Sequence, residues 1–216
     1  MSNTLTIIGA ALSGAAATLL YVRYTLQKQG LVLGPDNDSH STKRLKDTEQ
    51  IEPEPLQEAT VDVEGCGAVE VFTETVGKNT YVTLDWPKLF GKLPFKIPFC
   101  SAVIASDGSI YVSGTIGLAP PPEEDATPSL VPGGYKAEMI RTMVLIEAAL
   151  HACGASASDI TMVHCYIVDN NKDNFAAMNA GYLQFWGSRP LPARITVGCT
   201  ALALGAVVEV DVIAKM

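Results

Sequence analysis

An α+β fold, a mixed sheet with two helices on one face, is what this sequence predicts. Three observations carry that expectation. The C-terminal stretch alternates strictly, with Val207, Glu209, Asp211 and Ile213 on one side and Val208, Val210, Val212 and Ala214 on the other. Met139, Met143, Ile146, Leu150 and Cys153 recur at helical spacing, and so do Phe175, Met178, Tyr182 and Trp186. Between and before these stripes lie short β-branched runs punctuated by Gly, Pro and Asn.

In chain order, residues 1–30 read as a membrane anchor. Met1 to Val22 carries no charged side chain, and its apolar run from Leu5 is long enough as a helix to approach the roughly 30 Å hydrocarbon core of a bilayer. Basic residues follow the run, at Arg23, Lys28, Lys43, Arg44 and Lys46, rather than preceding it as in a secretory signal. Positive charge stays on the cytosolic side, so the bulk of the chain is expected in the cytosol, on the mitochondrial outer membrane or endoplasmic reticulum. The alternative is a mitochondrial presequence. Residues 31–60 change to a polar, two-signed composition ending in Glu-Pro-Glu-Pro, the pattern of a disordered linker.

Residues 61–93 form an extension with extra strands, Val69–Val76 and Thr80–Trp86, folded back at Gly77-Lys78-Asn79. Residues 94–216 form the main domain. It opens with strands at 102–105 and 110–113 around a Ser-Asp-Gly-Ser turn, then an exposed proline loop running to Gly133-Gly134. The first long helix ends near Gly154, a C-cap residue type. Ile160 to Val168 is a strand, and Asp173 or Asn174 is expected to cap the second helix. Pro192 to Thr200 and Gly205 to Ala214 then read as a hairpin across Ala201 to Leu204, placing Arg194 or Thr196 opposite Glu209 and Asp211. A guanidinium beside a carboxylate can grip a small acid and activate water. A structural ion pair between strands satisfies the same pattern. With no third long helix to cover the sheet's other face, self-association is the economical solution.

Composition narrows the function. A net charge of -8 argues against nucleic-acid partners, which need clustered Lys and Arg. The cysteines Cys66, Cys100, Cys153, Cys165 and Cys199 are odd in number and contain no CxxC pair, so neither a disulfide framework nor a zinc site is indicated. His40, His151 and His164 lack metal-ligand spacing, and no metal or cofactor is assigned.

Six blocks, in order, resemble the Rid family of reactive intermediate imine deaminases, also called YjgF or L-PSP. They are Ile110-Tyr-Val-Ser-Gly-Thr-Ile-Gly, Glu147-Ala-Ala-Leu-His-Ala-Cys-Gly-Ala, Asp159-Ile-Thr-Met-Val-His-Cys-Tyr-Ile-Val, Phe175-Ala-Ala-Met-Asn-Ala-Gly-Tyr, Pro192-Ala-Arg-Ile-Thr-Val and Val208-Glu-Val-Asp-Val-Ile-Ala. The resemblance runs from about Pro94 to the C-terminus. It implies a chorismate-mutase-like fold assembled as a homotrimer with clefts between subunits. It also implies hydrolysis of enamines and imines of the 2-aminoacrylate type to 2-keto acids and ammonia. By the same resemblance Arg194 holds the substrate carboxylate, Glu209 activates water, and Ser113, the backbone N–H at Gly114, and Asn179 line the cleft. Two positions depart from the family. Cys100 stands where members carry a tyrosine, and Thr196 where they carry a cysteine. These departures favour an alternative, a non-catalytic trimeric metabolite-binding module displayed on a membrane. Ribonuclease action, also attached to the family, requires RNA contact that so acidic a chain disfavours.

Overall fold

The computed structural model describes residues 59–93 and 95–216. The anchor expected over 1–30, and all but the end of the linker expected over 31–60, lie outside them. Among the described residues no helix is long and apolar enough to cross a membrane.

The chain runs β1 (Ala59–Val63), β2 (Gly67–Val76), β3 (Asn79–Leu84), α1 (Trp86–Phe90), β4 (Ala102–Ile104), β5 (Ser109–Ile116), α2 (Gly134–Ala152), β6 (Ile160–Val168), α3 (Lys172–Trp186), β7 (Ala193–Cys199) and β8 (Val208–Lys215). All strands join one sheet in the order β1-β2-β3-β4-β5-β8-β6-β7. Pairing is antiparallel except between β6 and β7, which run parallel through the crossover helix α3. The sheet is therefore mixed, and α2 and α3 pack together on its apolar side, as the α+β reading expects.

The C-terminal hairpin does not form. β7 and β8 each pair with β6, which lies between them. Burial explains the choice. Val208, Val210, Val212 and Ala214 on β8 are at most 1% exposed, and a strand so apolar gains most from a central position. β7 carries Arg194, Thr196 and Gly198, with half-buried or exposed side chains suited to an edge. Glu138 of α2 directs the chain into β8: its buried carboxylate accepts the backbone N–H groups of Val207 at 2.8 Å and Val208 at 3.3 Å.

Most local expectations hold in detail. β2 and β3 form the expected hairpin, with Val76 opposite Asn79. Its second strand stops at Leu84 rather than Trp86, because Asp85 accepts the Lys88 N–H and Pro87 sits in the first turn, starting α1. Met139, Met143, Ile146 and Leu150 on α2 are all fully buried, each contributing roughly 1.5–3 kcal/mol. On α3, Met178, Tyr182 and Trp186 are buried, whereas Phe175, in the first turn, is 36% exposed. The α3 cap is Asn171, not Asp173 or Asn174. Its side chain accepts both of their N–H groups at 3.0 Å, and residues two and three positions before them are the ones placed to do so.

The two long helices approach closely at Gly181. A Cβ there would overlap the Lys136 carbonyl and lie 3.1 Å from the Met139 Cβ. The atoms in the way belong to a helix backbone and a core side chain, which cannot swing aside. Gly181→Ala is accordingly expected to lower stability by about 1–3 kcal/mol, seen as a lower urea midpoint at unchanged slope.

Candidate active site

Cross-strand register assigns every candidate residue to a face. On β8, Glu209 lies opposite Tyr166 and Asp211 opposite His164, so these side chains occupy the open face, opposite to that of Val208, Val210 and Val212. On β7, Arg194 lies opposite Val163 and Thr196 opposite Cys165, both buried on the helix side. Arg194 and Glu209 therefore stand on opposite faces of one sheet. The expected juxtaposition of Arg194 or Thr196 with Glu209 and Asp211 does not occur within the chain, because β6 intervenes and the alternation of each strand sends them to different sides.

Two groups of residues result. In the first, Arg194 is held on two sides by α3. It donates from Nη2 to Asn179 Oδ1 at 2.7 Å, and its guanidinium lies 4.5 Å from the centre of the Tyr182 ring. Burial pushes the Tyr182 phenol up to about 12, with Arg194 opposing, so the ring beneath the cation stays neutral. Thr196 is beside Cys165, whose thiol burial raises to about 11. This group offers a fixed cation and no thiolate.

The second group centres on Glu209. The β5–β8 register slips between Val112 and Thr115, bulging the chain at Ser113 and Gly114. The bulge is pinned: Ser113 donates its N–H to the Ser101 carbonyl at 3.0 Å and its hydroxyl to the Cys100 carbonyl at 2.8 Å. It brings Gly114 against Glu209, where any Cβ would overlap Oε1. The glycine leaves room at the carboxylate that no other residue would leave. Gly114 thus lies with Glu209, Ser113 and Cys100 support the bulge without bordering the carboxylate's cavity, and Asn179 and Thr196 lie with Arg194.

Among the described residues the Glu209 carboxylate accepts no hydrogen bond and forms no ion pair. Desolvation raises its pKa, with the nearby charge of Asp211 adding to the effect. Asp211 itself is paired, its Oδ1 lying 2.6 Å from His164 Nδ1. His164, to which the sequence assigned no ligand role, is thus the partner of the second carboxylate, which β6 alone made possible. No group of three or more His, Cys, Asp or Glu suited to a metal ion occurs among the described residues.

Glu209 and Gly114 border a cavity of about 420 Å³. Its walls include Trp86, Leu89, Phe95, Phe99, Leu145 and Leu204. Trp86 stacks at a tilt on Phe90, centroids 5.5 Å apart, and meets Phe99 edge-on at 6.1 Å. Sequence reasoning did not find these wall residues. Their signal was the density of aromatic and apolar residues among Pro87, Pro94 and Pro98, too interrupted for a core element yet too apolar for an ordinary loop.

The family profile described as Endoribonuclease L-PSP matches residues 94–216, the segment that holds both groups. The chain belongs to the Rid (YjgF, L-PSP) family. Within its relatives, the 2-iminobutanoate/2-iminopropanoate deaminase of Capra hircus is 33% identical over 117 residues, 54% of this chain and 79% of that protein. Protein DfrA of Myxococcus xanthus is 36% identical over 118 residues, 54% of this chain and 84% of that protein. The crystal structure of E. coli TdcF with bound serine matches at a TM-score of 0.50 with 20% identity, covering 62% of this chain and 98% of that one, a likeness of fold. Leu84, Trp86, Leu89, Phe90 and Leu93 precede the Rid segment, so part of the cavity wall is built by residues outside it.

The raised pKa of Glu209 has a consequence for stability. Its folded-state pKa exceeds its unfolded value, so the folded protein binds the proton more tightly. The desolvation cost is absent below the ordinary carboxylate range and reaches its full size once pH has risen through the folded-state value. Glu209→Gln is expected to raise the melting temperature at pH 7 and to change it little below pH 4, measured by calorimetry at both. Equal shifts at the two pH values would exclude burial as the cause.

Proposed function

We propose that this protein hydrolyses reactive imines and enamines of the 2-aminoacrylate type to 2-oxo acids and ammonia. The site is completed between neighbouring copies of the chain in a trimer. Glu209 carries the proposal: a desolvated carboxylate without a protein partner, facing space kept open by Gly114. Several relatives bear the name 2-iminobutanoate/2-iminopropanoate deaminase. Within one chain Arg194 and Glu209 cannot share a small substrate, since the sheet separates them. A neighbouring copy supplies the missing half, and the exposed Tyr111, Ile195 and Val197 on the open face favour such an association.

In this reading Arg194 of one copy binds the substrate carboxylate with its planar fork, oriented by Asn179 and Tyr182. Glu209 of the next takes a proton from water as the water oxygen bonds to the imine carbon, giving a carbinolamine. With the imine protonated at the outset that carbinolamine is neutral; Glu209 returns the proton to nitrogen, and as the carbon–nitrogen bond breaks it takes the hydroxyl proton, so that ammonia and the 2-oxo acid leave. A carboxylate of raised pKa suits both proton transfers better than an ordinary one. The serine- or threonine-derived imines released by pyridoxal-phosphate enzymes are the natural source of such substrates. The second reading, a binding module without turnover, is favoured by Cys100 and Thr196, which replace a tyrosine and a cysteine of the family. Anchoring through residues 1–30, with the Rid segment in the cytosol, belongs to the same proposal. It requires the full chain to stay with membranes after carbonate extraction; release into the supernatant would end it.

Freshly generated 2-iminopropanoate and 2-iminobutanoate test the activity by ammonia release. Glu209→Gln is expected to keep ligand binding and lose turnover by about 10²–10⁴-fold, and Arg194→Ala to lose both. Trimers refolded from an equal mixture of the two variants are expected to recover about a quarter of wild-type activity, since each shared site needs one intact group from either copy. No recovery, from trimers shown to be mixed, would remove the shared site. Absence of wild-type turnover would leave the binding module.

A further inference from the structure

We infer that the cavity beside Glu209 takes the side chain of the substrate, and that the preferred substrates are 2-imino acids with long aliphatic or aromatic side chains. The inference rests on the deaminase reading for the word imino, and on the cavity itself for the side chain.

The imine carbon is planar, with nitrogen, carboxylate and side chain as its three substituents. Water held by Glu209 approaches across that plane, and Arg194 of a neighbouring copy draws the carboxylate to one side. Two directions of the plane then remain, for nitrogen and for the side chain, and the larger substituent is assigned to the one that opens past Gly114 into the cavity. The space bordering Gly114 and Glu209 there is about 420 Å³. That volume falls within the range of about 300–1,000 Å³ found for pockets that take drug-sized ligands, far more than a methyl or ethyl group fills.

The walls define the chemistry. Trp86, Leu89, Phe95, Phe99, Leu145 and Leu204 present hydrocarbon and ring faces. The polar side chains among the walls are already engaged: Ser101 Oγ accepts the Leu84 N–H at 2.9 Å, and Thr115 Oγ1 donates to the Ser113 carbonyl at 2.9 Å. Glu209 and the indole N–H of Trp86 are the remaining polar groups. A hydroxylated side chain entering this space would exchange water for few partners, whereas each added methylene leaves water for an apolar wall. Leu84, Trp86, Leu89, Phe90 and Leu93 come from the segment before the Rid match, so the chain adds these walls to the site that its family fold provides.

The test uses the full chain and the 2-oxo acid products as probes, with dissociation constants measured by calorimetry. From pyruvate through 2-oxobutanoate and 2-oxopentanoate to 2-oxohexanoate, affinity is expected to rise about fourfold per methylene. Phenylpyruvate is expected to bind at least as tightly as 2-oxohexanoate. Ala203→Phe, at an exposed position lining the cavity, is expected to abolish the gain for long acids. Phe95→Ala, also at an exposed position, is expected to reduce the gain. Affinities that stay flat or fall along the series overturn the inference, and mean that the cavity closes or is filled by a neighbouring copy. Turnover of the imines generated from the matching amino acids separates the two claims. Glu209-dependent turnover of short imines with flat affinities removes the inference and leaves the deaminase. A chain-length gain in affinity without turnover of any imine keeps the apolar pocket and removes the deaminase.

Discussion

The burial of β8 between β5 and β6 is the constraint from which the rest of the structure follows. Val208, Val210, Val212 and Ala214 must face the helices, and a strand with period two then has no freedom over Glu209 and Asp211, which go to the open face. Central placement also displaces β7 to the edge, where the parallel β6 to α3 to β7 crossover delivers it. Arg194 consequently sits under α3, and the two groups expected to cooperate are separated by the thickness of the sheet. Glu138 helps to hold this arrangement by accepting the first two N–H groups where the chain enters β8.

The two faces have different electrostatic characters, and the difference is useful. Arg194 is pinned by a side-chain oxygen and an aromatic ring, so its guanidinium is a cation already held in one place. Glu209 is the opposite case, without a hydrogen-bond donor and with its charged form disfavoured by desolvation. A carboxylate left in this state costs stability, and such costs concentrate where a group has chemistry to perform. Asp211 differs only by two residues, yet its pairing with His164 gives it a structural partner that Glu209 lacks. The bulge at Ser113 and Gly114 completes the contrast by bringing backbone close to Glu209 without any side chain between them.

The segment before the Rid match changes what surrounds this carboxylate. β1 to β3 widen the sheet beyond β4, and α1 turns Trp86, Leu89 and Phe90 toward the Glu209 cavity. Arg141 ties the widened end to the family fold. Its Nε donates to the Leu118 carbonyl at 2.8 Å, and its guanidinium also reaches the Glu64 carbonyl and Cys66 Sγ. The added walls and the family fold together give the cavity beside Glu209 its apolar lining.

The sequence by itself determined β2 to β8 and the two long helices, with the membership of their side chains in one face or another, but not β1, whose first residues read as linker. Those properties depend on local periodicity, and Val208 to Ala214 or Met139 to Leu150 display it without reference to anything distant. It also singled out Arg194 and Glu209, through blocks whose residues resemble the Rid family. Strand order was not legible, because a short connection between β7 and β8 looks the same whether it turns back as a hairpin or crosses the end of β6. Only the tertiary structure decided that β6 lies between them, that His164 partners Asp211, and that Arg194 and Glu209 face apart. It also decided that Trp86, Phe95 and Phe99 meet at Glu209, since contacts between segments more than a hundred residues apart arise from the packing of the whole sheet and leave no period in the chain.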